Sequence, residues 1–172
     1  MKNKKGVSVM IGYVLLVALV VVMAGIVYVY LRTYIPKDLP ACPEETSLFI
    51  KEKSCSNGIL NITIKNNGKF SVGGYYIYAS NVSSAEIATI DLSKQLNSGI
   101  DNQYTYFNSV IFNISTNNTL DPGNEIINSF DLNQSINFIE IIPARFESQG
   151  KNVKLVSCGN SRIKEIVTCL IV

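Results

Sequence analysis

A run of 25 residues without a charged side chain, from Val7 to Leu31, is the feature that most limits what this chain can form. As an α-helix it would be about 37 Å long, against about 30 Å for the hydrocarbon core of a bilayer. Fifteen of its residues are Val, Ile or Leu, and they favour insertion by about 5–9 kcal/mol. Because a backbone in lipid must satisfy its own hydrogen bonds, the run is predicted to be a membrane-spanning helix.

The charges beside this run indicate how it would cross a membrane. Three lysines and the amino terminus precede the run, namely Lys2, Lys4 and Lys5. After it, the positive charges of Arg32 and Lys37 are partly offset by the negative charge of Asp38. Since positive charge is retained on the cytoplasmic side, we expect the N-terminus inside the cell and the residues after about position 35 outside it.

The run does not fit an ordinary cleaved secretory signal. Such a signal has an apolar core of about 7–15 residues followed closely by a small-x-small site. This run is longer, and the "LRTYIPKDLPA" that follows offers no such site. Two alternatives remain: a permanent membrane anchor, or a segment cut after Gly6 whose helix is retained.

The stretch "KKGVSVMIGYVLL" bears on that choice. It resembles the N-terminus of archaeal type IV pilins, whose class III signal peptide is cut by a prepilin peptidase. In that family a basic residue and a glycine precede the cut. The resemblance implies a processing site at which Gly6 ends the leader and Val7 begins the mature chain.

The residues after the cut match the family in part. A Ser-Pro-Val-Ile-Gly-like run follows the site in archaeal pilins, and Ser8, Ile11 and Gly12 agree with it. Val9 and Met10 stand where the family has Pro-Val. Bacterial type IV pilins carry a glutamate at the fifth mature position, which is Ile11 here, so the resemblance favours the archaeal type.

The resemblance implies a structural role, with no catalysis. A subunit of this kind is held in the cell membrane by its helix, with the C-terminal domain outside, and then joins an extracellular filament for adhesion or surface contact. Its partners would be the prepilin peptidase, membrane lipid, and copies of itself or other pilin subunits packed through the helix. Small residues that would allow close packing are Gly12, Ala18, Ala24 and Gly25. The alternative is an anchored external binding domain that never polymerises and keeps residues 1–6.

The chain beyond the helix is predicted to be a β-sandwich. Three prolines in "IPKDLPACP" (35–43) stop the helix and indicate a linker. After it, short alternating segments are separated by turn signals such as Asn67-Gly68, Gly73-Gly74 and Asp121-Pro122-Gly123. The predicted strands are Ser47–Lys53, Leu60–Ile64, Gly74–Ser80, Gln103–Ile114, Glu125–Leu132, Ser135–Ile142, Asn152–Ser157 and Ile163–Ile171.

These patterns define the expected fold class, α+β, with a long hydrophobic helix followed by an antiparallel sandwich. The segments "ITIKNNGKFSVGGYYIY" and "LDPGNE" also resemble extracellular Ig-like modules. The expected parts are a leader (1–6), the helix (7–34), the linker (35–43) and the external domain (44–172). Residues 83–99 fit either a short helix begun by a Ser83–Glu86 capping box or a strand, and are interpreted as an insertion.

Four cysteines, Cys42, Cys55, Cys158 and Cys169, lie in the external part. An even number in an exported domain indicates two disulfides, with three possible pairings. If the first and last strands were antiparallel neighbours, the pairs would be nested, Cys42 with Cys169 and Cys55 with Cys158, and this is the pairing we expect. The absence of a Cys-x₂-Cys pair opposes zinc.

Asn-x-Ser/Thr sequons make the chain a candidate glycoprotein. The glycosylation candidates are Asn61, Asn81, Asn113, Asn117 and Asn133. Asn61 and Asn113 are predicted on the solvent side of strands.

Composition argues against several other functions. The sequence contains no histidine and its 15 basic and 13 acidic residues are dispersed, so neither a common general base nor a basic nucleic-acid surface is expected. Asp121, Asn124 and Glu125 could contact Ca²⁺, but a solvated turn is the expected interpretation. We therefore expect no enzymatic activity, cofactor, metal or small-molecule substrate.

Overall fold

The apolar run forms one α-helix, α1 (Lys5–Tyr34), in the computed structural model, which describes residues 5–34, 41–97 and 103–171. Most of the predicted leader and linker lies outside the described residues. The chain falls into two compact units, Met1–Leu39 and Pro40–Val172. The second unit contains the β-structure.

Among the described residues, ten strands and two short 3₁₀ turns, at Ser93–Gln95 and Gly159–Ser161, form the domain after the helix. The strands are β1 (Leu48–Ser56), β2 (Ile59–Asn66), β3 (Gly74–Ser80), β4 (Ile90–Asp91), β5 (Tyr104–Tyr106), β6 (Ser109–Ile111), β7 (Glu125–Asp131), β8 (Ile136–Gln149), β9 (Asn152–Ser157) and β10 (Ile163–Cys169).

The strands form two antiparallel sheets. One has the order β1-β2-β7, and the other follows β10-β8-β3-β6-β5, with β4 beside β3 and β9 beside β8. These orders correspond to strands A-B-E and G-F-C of an immunoglobulin-type sandwich. The expected fold class, a long N-terminal helix followed by an antiparallel Ig-like β-sandwich, is confirmed.

The core lies between the two sheets, because alternate residues of each strand face inward. Leu60, Ile62 and Phe130 from the smaller sheet, and Ile77 and Ile139 from the larger one, are completely buried. The same alternation places polar side chains of β2 on the solvent side, as the sequence pattern predicts.

Most of the predicted strands are present, and β3 and β9 have the expected bounds. The segment expected as one strand over Gln103–Ile114 is instead a hairpin of β5 and β6. Its turn residues, Phe107 and Asn108, have φ values of 42° and 59°. A hairpin turn at Asn57-Gly58 (φ 53° and 78°) joins β1 to β2 and was not anticipated, although Asn-Gly is a strong signal for this turn.

The prediction of a turn at Gly73-Gly74 is wrong. Gly73 takes part in the sheet, where its N–H donates to the Ala144 carbonyl at 3.0 Å, and Gly74 begins β3. A Cβ on Gly74 would lie 2.3 Å from the Val110 carbonyl oxygen. Glycine is required here for the close approach of β6, and not for chain reversal.

The insertion after β3 contains the short strand β4 and a 3₁₀ turn. Among its described residues, the structure is therefore closer to the predicted strand than to the predicted short helix. Buried Glu140 accepts a hydrogen bond from the Ala88 N–H at 3.1 Å. Lys164 Nζ lies over the Phe138 ring and donates to the Ala85 carbonyl at 2.8 Å. These contacts hold the insertion against β8 and β10.

Side-chain amides fix two other loops, which neither hydrophobic pattern nor turn signals identified. Fully buried Asn66 donates to the carbonyls of Phe70 and Leu120 at 2.9 and 2.8 Å. The Asn118 side-chain nitrogen donates to the Phe146 carbonyl at 3.0 Å, and the Asn118 side-chain oxygen accepts from the Phe146 N–H at 2.8 Å. A neighbouring strand would make the same pair of bonds. Each amide replaces ladder bonds that the irregular segments cannot make.

A fully buried tyrosine makes the domain sensitive to alkaline pH. Tyr75 is 0% exposed, and its hydroxyl lies near the Asn128 side chain without a hydrogen bond of normal geometry. Burial raises the pKa of Tyr75 well above its ordinary value because the phenolate would lose its hydration. Stability from the neutral phenol is therefore fully present below the unfolded pKa of about 10 and declines as the pH rises above it.

We expect Tyr75→Phe to reduce this loss of stability above about pH 10, while leaving stability at pH 7 nearly unchanged because the hydroxyl forms no hydrogen bond of normal geometry. The measurement is the denaturation midpoint of the detergent-solubilised full chain at pH 7 and pH 11. Tyr76→Phe is the matched control, because Tyr76 is only partly buried and its pKa is raised less strongly. Equal alkaline losses in wild type and Tyr75→Phe would contradict the argument.

Candidate membrane helix and disulfide-closed domain

The helix exposes apolar side chains on every face. All described side chains from Met10 to Tyr34 are exposed, and Arg32 carries the one charge among them. A helix that is apolar all round belongs in a protein core or in a membrane, and these side chains are not in a core. The 25 residues Met10–Tyr34 are long and apolar enough to cross a membrane.

The C-terminal end of α1 has the features of a membrane interface. Arg32 lies in its last turn. Tyr30 and Tyr34 stack with ring centroids 5.6 Å apart, and Thr33 Oγ1 donates to the Val29 carbonyl at 2.6 Å. Tyrosine and arginine have polar tips on apolar stems and favour the level of lipid headgroups.

The predicted processing site lies in the first turn of α1. The helix begins at Lys5, so the backbone of Gly6 and Val7 is helical.

Two of the small residues on the helix leave open space. A Cβ added to Gly12 or Gly25 would meet no atom within 4 Å. These glycines are therefore not needed for packing within the chain. In membrane helix pairs generally, small residues are the ones that permit close approach.

All four cysteines are paired, but the expected nested pairing is wrong. The bridges are Cys42–Cys158 and Cys55–Cys169, with Cα–Cα distances of 5.2 and 5.6 Å. The sequence correctly indicated two disulfides among these residues. It did not determine which cysteines meet.

The directions of the terminal strands explain the correction. β1 bonds to β2 in one sheet and β10 bonds to β8 in the other, so the two terminal strands are not antiparallel ladder partners. They run the same way along one side of the sandwich. Cys42 and Cys158, which precede β1 and β10, are therefore close together. Cys55 and Cys169, near the ends of the two strands, are close for the same reason. Lys53 and Glu165 also bridge the two strands at 2.6 Å.

Four of the five sequon asparagines are exposed: Asn81, Asn113, Asn117 and Asn133. Asn113 lies in the loop after β6 and not on a strand. Asn61 is on the solvent side of β2, as expected, but is only partly exposed. Its side-chain oxygen accepts a hydrogen bond from Ser129 Oγ at 2.5 Å, so this amide is held between two neighbouring strands.

The residues considered for Ca²⁺ have separate partners. Asn124 N–H donates to the Asp121 carbonyl at 3.1 Å in a turn that continues through Gly123, with φ of 86°. The Asp121 carboxylate accepts from Ser71 Oγ at 2.7 Å. Among the described residues, no group of three or more acidic or cysteine side chains is placed to hold a metal ion.

Glu125 instead belongs to a lysine cluster on the outer face of the smaller sheet. It contacts Lys51 at 2.8 Å and Lys65 at 3.4 Å. The hydrogen bond from Lys51 lowers the pKa of Glu125, and the same bond raises the pKa of Lys51. These groups are solvated, so the cluster is a surface network.

Comparison with family models and with curated proteins gives no match for this chain. The chain combines a helix that could span a membrane with a disulfide-bonded Ig-like domain.

The disulfide connectivity can be tested with paired substitutions. Cys42→Ala with Cys158→Ala should leave no free thiol, because Cys55–Cys169 remains intact. Under nested pairing the same variant would expose two thiols. The measurement is thiol titration of the denatured, unreduced chain, and Cys42→Ala with Cys55→Ala is the control that should show two thiols.

The same variants should show non-additive stability losses. When one bridge is already present, the other closes only a small ring that consists of the segments 42–55 and 158–169. When it is the only bridge, it closes a loop that spans 114 or 116 residues. On the chain-entropy model, removing one bridge costs about 3.5 kcal/mol and removing the second costs about 5 more. Denaturant titration measures these losses in three variants: Cys42→Ala with Cys158→Ala, Cys55→Ala with Cys169→Ala, and the chain with all four substitutions. A second loss smaller than the first would contradict the ring argument.

Glycan occupancy should differ between the sequons if the native protein is modified. We expect Asn61 to be the least occupied site, because its amide is hydrogen-bonded and lies within a central strand. Glycopeptide mass spectrometry of the native chain measures occupancy at each position. Modification of Asn61 equal to that of exposed Asn117 would contradict this expectation.

Proposed function

We propose that this chain is a pilin-like structural subunit of the archaeal type IV kind. Its helix anchors the precursor in the cell membrane with the N-terminus in the cytoplasm. A prepilin peptidase removes residues 1–6, and the retained helix then packs with other subunits in a surface filament. The Ig-like domain is displayed outside for adhesion or surface contact.

The observation that carries this proposal is the combination of "KKGVS" with a helix that is apolar on all faces. Cleavage after Gly6 would remove Lys2, Lys4 and Lys5, leaving the new amine as the charge at the head of the helix. Charged groups oppose transfer of a helix end through lipid. Their removal would let the helix move from lipid into an assembly of similar helices.

The open glycines support packing between helices. Without water, helix association in lipid depends on close van der Waals contact, which small residues permit. Gly12 and Gly25 have the required free space, as described above. The paired disulfides suit a domain displayed in an oxidising exterior.

A second candidate is an anchored external domain that does not polymerise. The observation that favours it is the continuity of α1 from Lys5 through Gly6 and Val7. An uncleaved chain would keep this first turn and remain a single-pass membrane protein. The two candidates differ in whether residues 1–6 are retained.

The experiment is to identify the N-terminal residue of the native protein by terminal-peptide mass spectrometry of membrane and sheared-surface fractions. We expect Val7 at the N-terminus in both fractions, with filaments visible by negative-stain microscopy. A start at Met1 or Lys2 would overturn the processing proposal. Processed chain without filaments under any condition would overturn polymerisation.

A pair of variants makes this test specific. Gly6→Val should abolish processing, because the substitution places a branched side chain directly before the cut bond. Gly12→Val makes the same change six residues later and should leave the start at Val7, while weakening filament assembly. Equal processing in both variants would contradict the assignment of Gly6.

A further inference from the structure

The edge strands of the two sheets are protected unequally. An exposed edge offers unpaired N–H and C=O groups to other strands, and proteins commonly guard it with charge, bulges or a covering segment. Charged residues occur in each described strand that forms or flanks an edge, except one: β1, β4, β7, β9 and β10 contain them. β1 and β10 also have register irregularities, and the segment at Leu96 and Asn97 bonds to β7.

The exception is β5, with the sequence Tyr104-Thr105-Tyr106. It pairs with β6 on one side. On the other side, no backbone hydrogen bond joins these three residues to another described segment. All three side chains are exposed, and the sequence from 102 to 120 contains no charged residue.

The hairpin turn beside this edge presents an apolar ring. Phe107 is 81% exposed and has a positive φ of 42°, a conformation that bulky side chains rarely adopt. Its ring contacts Tyr106 edge to face, with centroids 4.6 Å apart. Phe107 and Asn108 both have the positive φ values that a two-residue hairpin turn requires, so the turn holds this ring at the surface beside β5.

We propose that β5 is a self-association edge, which pairs antiparallel with β5 of a second copy of this chain. The strand reads the same in both directions, so a two-fold axis through Thr105 places each Tyr104 opposite the other copy's Tyr106 and Thr105 opposite Thr105. Aromatic and threonine cross-strand pairs are favourable. Because the edge is uncharged, its copies meet without the like-charge repulsion that β9 or β10 would produce.

This contact is suited to copies held in one membrane. A three-residue edge is far smaller than the interface of a stable soluble dimer. Anchoring both copies raises their effective concentration and makes a weak contact productive. The inference therefore rests on the proposed membrane anchor, but not on cleavage of residues 1–6 or on the helical packing of a filament.

Site-specific cross-linking of the full chain in phosphatidylcholine vesicles tests this pairing. Under mild oxidation Thr105→Cys should give a covalent dimer at least about tenfold more abundant than that of Val153→Cys, which places a cysteine on the exposed edge strand β9, because opposite residues in an antiparallel pair lie about 5 Å apart. Equal dimer yields from the two variants would overturn the proposal. Flotation of the chain with the vesicles is measured in parallel, so that failure of anchoring is distinguished from failure of pairing.

Charge variants on the Thr105→Cys background test the register. Tyr104→Lys with Tyr106→Lys places lysines opposite each other in the proposed pair and should abolish the dimer. Tyr104→Lys with Tyr106→Glu places each lysine opposite a glutamate and should restore it. Dimer formation that is unaffected by the first variant, or not recovered in the second, would overturn the antiparallel register about Thr105.

Discussion

Two disulfides join the first strand of the sandwich to the last, and the rest of the domain lies between them in sequence. Cys42–Cys158 ties the beginnings of β1 and β10, while Cys55–Cys169 ties their ends. In an Ig-like fold these strands belong to different sheets, so no hydrogen-bond ladder joins them. Covalent bonds replace that missing ladder and prevent the terminal strands from separating from the core.

The position of these bridges also affects how the domain responds to its anchor. Cys42 is near the beginning of the domain, one residue after Ala41, where the described part of the chain resumes beyond the helix. Force transmitted along the chain from the helix would reach this disulfide before it reaches β1. Tension between the helix and the domain would therefore be carried by a covalent bond before it reached the strands.

The sequence predicted the elements better than the contacts between them. Alternation in "ILNITIKNNG" correctly identified β2, since one face of a sandwich strand is buried and the other is solvated. Gly73-Gly74 was misinterpreted because glycine is equally suited to turns and to close backbone approach, and only the position of β6 decides between these uses. The roles of Asn66 and Asn118 could not be predicted, because their carbonyl partners lie up to 54 residues away.

The sequence by itself determined that α1 is apolar on every face and that the external part alternates as a sandwich, because both properties depend on periodicities of a few residues. It also provided the Lys-Lys-Gly junction on which the proposed processing depends. Only the tertiary structure decided the disulfide pairing, the burial of Tyr75 and the position of β5 at the end of its sheet. Each of these depends on which strands become neighbours and in which direction they run, and this is set by packing of the whole core.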